Sequence, residues 1–317
     1  MKSHLVTGGA GFIGVNLVRA LLSRGNRVTV LDDFSRGRPE NIAVFADTPA
    51  FSFKRVDCSE AANILNALDG EEYSEIWHLA ANSDIPAGVA DPAIDLRRTF
   101  LTTFAALKAA QSLGATAFHF ASSSAIYGDH QDRVIHEDIG PLQPISNYGA
   151  MKLASEAQIR AAVEAWLPRA SIFRFPNVIG VPATHGVIYD FCYKLLANPL
   201  QLDVLGDGSQ QKAYLHVDDL VSAMLHISSL GERYAVYNVG PDDAGIRVSA
   251  IAECVKNEFA PEASISFGTG SRGWVGDVPR FEYSIERLRA TGWKASLSSI
   301  QAVQRSVSEI GLQILKS

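Results

Sequence analysis

The sequence predicts an α/β protein built on a doubly wound parallel sheet, with a second, smaller lobe attached. The chain opens with a strand, a glycine turn and a helix, and strand-like runs then alternate with helical patterns as far as Phe175. Beyond Phe175 the rhythm loosens into shorter pieces punctuated by Pro176, Gly180, Pro182, Gly186 and Pro199, which marks off the lobe.

His4 to Thr7 is a short apolar run feeding into Gly8-Gly9-Ala10-Gly11-Phe12-Ile13-Gly14, and Leu17, Val18, Leu21 and Leu22 follow at helical spacing. A β-branched run from Arg27 ends at Leu31, ahead of Asp32-Asp33, and completes a βαβ unit of about 30 residues. Further strands are expected at Phe51 to Val56, Ile76 to Leu79, Ala117 to Ala121 and Ser171 to Phe175. Helices are expected at Ile94 to Leu113 and Tyr148 to Trp166. Residues 1–174 then form one domain and 175–317 mostly the lobe. About 213–240 return to the main sheet through a helix at Asp218 to Leu230 and a strand at Ala235 to Val239.

Composition narrows the function classes. The 317 residues carry 28 Lys+Arg against 34 Asp+Glu, a formal charge of −6, and 47% are hydrophobic. That is a soluble globular balance with length for about two domains. With 25 Gly and 13 Pro the chain is neither collagen-like nor low-complexity, and the acidic excess argues against a nucleic-acid partner. Cys58, Cys192 and Cys254 are far apart with no Cys-x-x-Cys pair, so neither a disulfide framework nor a metal site is expected. The first apolar run is too short for a signal peptide, and no stretch approaches the ~18 residues of a membrane span. No membrane partner is expected, and the cytoplasm is the expected compartment.

Gly9-x-Gly11-x-x-Gly14 sits between a strand and a helix, where a dinucleotide-binding (Rossmann) unit requires it. The glycines allow a tight turn and close approach to a pyrophosphate, and the unpaired amides of the helix start face the phosphates. Asp32, 18 positions after Gly14, can accept bonds from both adenosine ribose hydroxyls and would repel a 2′-phosphate. This favours NAD, although Arg36 and Arg38 nearby keep NADP open. Asp57-Cys58 follows the third strand, where the carboxylate either reaches the adenine edge or caps the next helix. His78-Leu79-Ala80-Ala81 ends the fourth strand with residues small enough for the nicotinamide half to pass.

Tyr148 and Lys152 stand four apart, hence on one face of a helix. An ammonium within a few ångströms and a positively charged nicotinamide ring favour the phenolate, so with the cofactor bound Tyr148 is expected to have a lowered pKa and to act as a base on a sugar hydroxyl. Lys152 would also hold the nicotinamide ribose. Ser122-Ser123-Ser124 closes the fifth strand about 25 residues earlier and brings hydroxyls to the carboxyl edge of the sheet, where ligands bind in such folds.

Together these motifs resemble the extended short-chain dehydrogenase/reductase family in its NAD-dependent epimerase/dehydratase branch. The likeness runs through Thr7 to Gly14, His78 to Ala81, Ser122 to Gly128, Tyr148 to Lys152, Arg174-Phe-Pro-Asn-Val178 and His216-Val-Asp-Asp-Leu220. It implies Ser123, Tyr148 and Lys152 as the catalytic set. It implies that NAD is held by Gly8, Gly11, Phe12, Ile13, Gly14, Asp32, Asp33, Ser35, Arg36, Asp57, Cys58, Leu79, Ala80, Ala81, Thr99, Ser122, Tyr148, Lys152 and Phe175. Thr99 stands where the family usually has asparagine. Ser124 and Ala125 occupy the positions where the branch's dehydratases carry an Asp-Glu pair, so no evident group drives elimination of water.

The lobe resembles the nucleotide-sugar cradle of UDP-glucose 4-epimerases. That likeness implies substrate contacts from Ser83, Ser123, Ser124, Asn177, His185, Val187, Lys212 and Arg272, with Val178 beside the sugar diphosphate. Lys212 and Arg272 read alternatively as surface charges, and His185 as an exposed loop residue. The expected function is C4 epimerisation of a UDP-sugar through a 4-keto intermediate. A nucleotide-sugar 4-dehydrogenase or 4-keto reductase is the first alternative, and a non-catalytic NAD sensor or scaffold the second. A homodimer is expected from apolar stripes at Leu96, Phe100, Phe104 and Leu107 and at Ala154, Ile159, Val163 and Trp166, stripes that are also expected to pack in part on the sheet.

Overall fold

A computed structural model describes residues 1–68, 70–131, 133–270 and 283–316. The chain divides into two compact units. Met1–Gly128, Gly140–Arg174 and Met224–Tyr237 form the first, and Asp129–Ile139, Phe175–Ala223 and Asn238–Ser317 the second.

The first unit alternates strand and helix from the N-terminus: β1 (Ser3–Thr7), α1 (Phe12–Ser23), β2 (Arg27–Asp32), α2 (Pro39–Ala43), β3 (Phe51–Arg55), α3 (Ala61–Leu68) and β4 (Glu75–His78). Next come α4 (Ile85–Ala90), α5 (Pro92–Asp95), a π-helical turn at Leu96–Leu101, α6 (Thr102–Ser112), β5 (Ala117–Ala121), α7 (Asn147–Ala165) and β6 (Arg169–Arg174). The second unit contributes β7 (Asn177–Ile179), α8 (Val187–Ala197), β8 (Gln201–Val204), β9 (Gln211–Lys212) and β10 (Tyr214–His216). Helix α9 (Val217–Ser229) leads to β11 (Tyr234–Asn238), after which β12 (Ile246–Arg247), α10 (Val248–Phe259), β13 (Ser264–Phe267), α11 (Glu286–Ala290) and α12 (Ser299–Leu315) complete the chain.

The main sheet has seven strands in the order β11-β6-β5-β4-β1-β2-β3. Its pairs from β6 to β3 are parallel, with Thr7 beside both Leu31 and His78, and Ala121 beside Phe173. The strands therefore end in register along one edge. After β3 the chain crosses to the other side of β1, so the order reverses between β1 and β4. That reversal opens a crevice at the carboxyl ends of the strands, the position at which such sheets bind ligands.

Helices cover both faces, which is why the strands read as nearly continuous apolar runs. One core cluster joins Leu5, Ile76, Phe118 and Ile172 of the sheet to Ile64 and Leu68 of α3, Ala106 and Ala110 of α6 and Ile159 of α7. The second unit has its own core, in which Ile188, Phe191 and Leu195 of α8 pack with Ile251 and Val255 of α10 and Val303, Val307 and Ile310 of α12.

One expectation is altered here, and the apolar stripes divide between core and surface. The helix expected from Ile94 to Leu113 is interrupted by the π-helical turn, a widening that leaves no mark in apolar spacing. The two apolar stripes also divide: Leu107, Ile159 and Val163 belong to the core, whereas Leu96 and Phe104 are 47% and 40% exposed.

Candidate active site

The glycine turn follows β1 directly. Gly8 takes φ +71°, and a Cβ there would come within 2.7 Å of the Ala80 nitrogen; at Gly14 a Cβ would lie 2.2 Å from the Gly8 carbonyl oxygen. Only glycine lets these backbones approach. Gly11 caps α1 with no side chain engaged and no acidic residue in the first turn. The first amides of α1, including those of Phe12 and Ile13, are thus presented to an anion, with the helix dipole behind them.

Asp32 ends β2 buried, with Oδ2 accepting from the Ala10 amide at 3.0 Å and Oδ1 from the Phe34 amide at 2.8 Å. Burial raises its pKa, against those two amide bonds. Each oxygen keeps a lone pair for a ribose hydroxyl. Asp33 Oδ1 accepts from the Ser35 amide at 2.8 Å, which shapes the next turn. Arg36 reaches Asp84 at 3.1 Å and so already has an anionic partner. Closed glycine contacts, an uncapped helix start and a carboxylate fixed at the end of β2 together fit a dinucleotide.

Asp57 is not the cap of α3. Its Oδ1 accepts from the Ser59 amide at 2.9 Å and its Oδ2 pairs with Arg97 at 2.8 Å, which holds its carboxyl below the usual range despite some burial. The Cys58 side chain packs in the core, and burial raises its thiol, so only its backbone is suited to a ligand. The Leu79 amide bonds the Thr7 carbonyl at 3.1 Å, and Ala80 backs onto Gly8, while Ala81 is half-buried and Ser83 exposed. Thr99 lies fully buried in the π-helical turn, and its hydroxyl accepts from the Asn82 amide at 3.2 Å.

At the end of β5, the Ser122 hydroxyl is buried and donates to Glu156 at 2.5 Å, so its side chain is committed to the interior. Ser123 Oγ accepts from the Ala125 amide at 3.1 Å and lies near enough to the Tyr148 hydroxyl to favour its phenolate. The first turn of α7 can approach because residue 149 is glycine: a Cβ there would lie 2.4 Å from the Ala125 carbonyl oxygen. One helical turn on, the buried Lys152 donates from Nζ to the Ala121 carbonyl at 2.6 Å and lies 5.7 Å from the Tyr148 ring centre. Ser123, Tyr148 and Lys152 are thus brought together, with Ser124 in the adjoining turn.

The expected lowering of the Tyr148 phenol is not what this arrangement produces. Burial pushes it up to about 12, with the Asp95 charge adding and the Ser123 hydrogen bond opposing. Burial also brings Lys152 down to about 7, against the charges of Glu156 and Asp95. Desolvation of each group outweighs the neighbours that favour its charged form.

Sequence reading missed the support behind these groups. Glu156, four residues past Lys152 on α7, is gripped by Arg174 through Nε at 3.1 Å and Nη2 at 2.6 Å, and Arg174 Nη1 donates to the Tyr127 hydroxyl at 3.0 Å. The i, i+4 spacing of Glu156 was the available signal. His78 bonds Thr7 at 2.7 Å and Thr103 at 3.1 Å, and Ser155 donates to Thr103 at 3.0 Å, which ties α7 to the sheet.

In the second unit, Phe175 is buried and Asn177 opens β7 with an exposed side chain, its strand running parallel to β10. Val178 pairs in register with Leu215. His185 is exposed, with Nδ1 3.0 Å from the Thr184 hydroxyl, and Val187 begins α8 half-buried. Lys212 lies in β9 opposite Ile246. Arg272 lies outside the described residues. Among the described residues, no group of three or more His, Cys, Asp or Glu is placed to hold a metal ion, and no helix is long and apolar enough to cross a membrane.

Comparison with known proteins agrees with this geometry. The profile of the NAD dependent epimerase/dehydratase family matches residues 4–240. UDP-glucose 4-epimerase of Mycolicibacterium smegmatis is 30% identical over 319 residues, covering 96% of both chains. A crystal structure of UDP-galactose 4-epimerase superposes with TM-score 0.84 at 31% identity, covering 99% of each chain. UDP-glucose 4-epimerase of Thermus thermophilus, solved in complex with NAD, superposes with TM-score 0.84 at 28% identity, covering 97% of this chain and 98% of that one. With the match spanning most of its length and the glycine cradle, Ser123, Tyr148 and Lys152 in place, the chain belongs to the NAD-dependent epimerase/dehydratase family.

Proposed function

We infer that this protein is an NAD-dependent nucleotide-sugar epimerase that inverts C4 of a UDP-sugar through a transient 4-keto intermediate. The observation that carries the reading is the grouping of Ser123, Tyr148 and Lys152, with Lys152 Nζ 5.7 Å from the Tyr148 ring centre, on the strand edge that also bears the glycine cradle. The epimerases similar to this chain over nearly its whole length support it.

NAD supplies a hydride acceptor that returns what it takes, so the net reaction needs no second cofactor. Tyr148 takes the O4 proton as the 4-keto sugar forms and gives it back when C4 is reduced again. Ser123 steers that phenol and bonds the same sugar oxygen. Lys152 spends one N–H on Ala121, keeps two for the nicotinamide ribose, and places a positive charge near the developing phenolate. A phenol held near 12 is almost wholly protonated at neutral pH, so the positive charge of oxidised nicotinamide, when bound, would supply the remaining drive toward the phenolate.

Asp32 selects NAD over NADP by repelling a 2′-phosphate, and the pairing of Arg36 with Asp84 removes the cation that would favour the phosphate. Ser124 and Ala125 supply no acid beside the sugar, which sets this chain apart from dehydratase chemistry. In this reading residues 1–174 hold the cofactor. The lobe within 175–317 holds the nucleotide sugar through Asn177, His185, Val187, Lys212 and Arg272. A cytoplasmic homodimer, joined through the exposed side chains of Leu96 and Phe104, completes the proposal.

Incubation of purified protein with UDP-glucose or UDP-galactose, without added cofactor and followed by NMR, tests the central claim. Interconversion of the two sugars is expected. Turnover only with stoichiometric NAD or NADH would mean a net dehydrogenase or reductase, and conversion of no sugar in a broad nucleotide-sugar panel would favour a non-catalytic NAD protein.

A further inference from the structure

The segments that border the cofactor crevice are joined to one another by charge. Arg36, in the loop after β2, reaches Asp84, in the loop after β4, with Nη1 3.1 Å from Oδ2. In the sheet β1 stands between β2 and β4, so this pair spans the end of β1, where the glycine turn begins. Arg97, in the π-helical turn, reaches Asp57, just after β3, with Nη2 2.8 Å from Oδ2. Here β1 and β2 both stand between the strands that lead into the two segments.

The two carboxylates are built in the same way. Asp84 Oδ1 caps α4 by accepting from the Ala87 amide at 3.0 Å, and the Asp84 amide donates to Asn82 Oδ1 at 3.0 Å, which leaves Oδ2 for Arg36. Asp57 Oδ1 accepts from the Ser59 amide at 2.9 Å, which leaves Oδ2 for Arg97. Each acid is thus aimed by its own loop before an arginine meets it. The loop that carries Arg36 is also fixed to the glycine turn: the Arg38 amide donates to the Ala10 carbonyl at 3.3 Å, and a Cβ at residue 37 would lie 2.9 Å from the Ala10 carbonyl carbon. The four charged side chains are 35% to 65% exposed. Ion pairs so open to water add little to the stability of a fold, so this repeated construction along one edge calls for another role.

A dinucleotide whose phosphates face the start of α1 and whose ribose meets Asp32 lies along the ends of β1 and β2, the stretch that both pairs span. We propose that the Arg36–Asp84 and Arg97–Asp57 pairs are ionic ties across the cofactor crevice that open when NAD leaves, so that Asp84 and Arg97 govern how long the cofactor stays bound. The proposal rests on the cofactor site and not on which sugar is converted.

Protein loaded with radiolabelled NAD and chased with excess unlabelled NAD gives the release rate directly. Asp84→Asn keeps an acceptor for the α4 cap and loses the charge, and Arg97→Gln removes the cation of the second tie. Each variant should release NAD about threefold faster, and the two combined about tenfold faster. Arg36→Gln combined with Asp84→Asn should be no faster than either alone, because the same tie is broken in all three. Added salt should speed release from the native protein more than from Asp84→Asn combined with Arg97→Gln. If Arg36 instead bonds the phosphates of the dinucleotide, Asp84→Asn frees it for them and release slows. That sign, or an unchanged rate in both single variants, overturns the proposal. Faster release from the variants of a protein that converts no sugar would reject the epimerase reading and keep the ties.

Discussion

Arg174 meets Glu156 side-on through Nε and Nη2, with the shorter contact at 2.6 Å and both side chains under 10% exposed. The pair stands one helical turn behind Lys152 and receives the Ser122 hydroxyl as well, so it joins the ends of β5 and β6 to α7. Removing one partner strands a buried charge. Arg174→Met is expected to cost about 3–5 kcal/mol in urea unfolding, and Arg174→Met combined with Glu156→Leu should recover much of that loss. A double variant no more stable than the single one would show that the stabilisation lies elsewhere.

Tyr148→Phe deletes the proton carrier and leaves the ring in place. Turnover should fall by about 10² to 10⁴ with little change in bound NAD, read by extraction and chromatography of the nucleotide. Ser123→Ala removes the hydroxyl beside that phenol and should lower kcat by a smaller factor, with UDP binding retained by calorimetry. Wild-type turnover in Tyr148→Phe would remove the phenol from the mechanism.

How much of this could be read from the chain alone is clear at Thr7, where one residue closes β1 and opens the glycine turn. Local spacing carried the βαβ unit, the acid at the end of β2, and the Tyr148 to Lys152 face of α7, because each is fixed by a short stretch of backbone geometry. The π-helical turn was not read, because six residues are too few for apolar spacing to tell its wider turn from an α-helix. Asp95 and Asn82 were missed because their bond crosses 13 residues. The direction of the Tyr148 shift was missed for a related reason: spacing reports the neighbouring ammonium, whereas desolvation depends on everything packed around it.

The glycine turn gives a test of the cofactor site that does not depend on the sugar. Gly14→Ala forces a methyl to within 2.2 Å of the Gly8 carbonyl oxygen, so helix and turn must separate. The variant is expected to purify without NAD. Asp32→Ser should keep the fold and shift preference toward NADP at least tenfold, measured as the ratio of dissociation constants. An unchanged ratio would show that Asp32 does not face the adenosine ribose.

At the opposite end of the sheet, His4, Glu75 and His119 form a buried cluster, with the Glu75 carboxylate 3.5 Å from His4 and 3.4 Å from His119. Trp77 Nε1 donates to His4 Nδ1 at 3.2 Å, which favours the neutral ring. Burial brings His4 down to about 4 and also lowers His119; burial opposes ionisation of Glu75, but His119, Lys2 and His4 outweigh it and hold the carboxyl at about 2. The sign follows from which state binds more protons. Below pH 6.5 the unfolded chain protonates His4 while the folded protein does not until about 4, so stability falls as pH falls through that window. Glu75 adds a second loss between 4.5 and about 2 for the same reason. Each such group contributes a slope of about 1.4 kcal/mol per pH unit. His4→Gln combined with His119→Gln keeps an amide oxygen available to Trp77 and cannot take up the protons. In urea titrations from pH 7 to pH 4 its stability should decline more shallowly than that of the native protein, and parallel curves would mean that the two imidazoles are not responsible for the acid sensitivity.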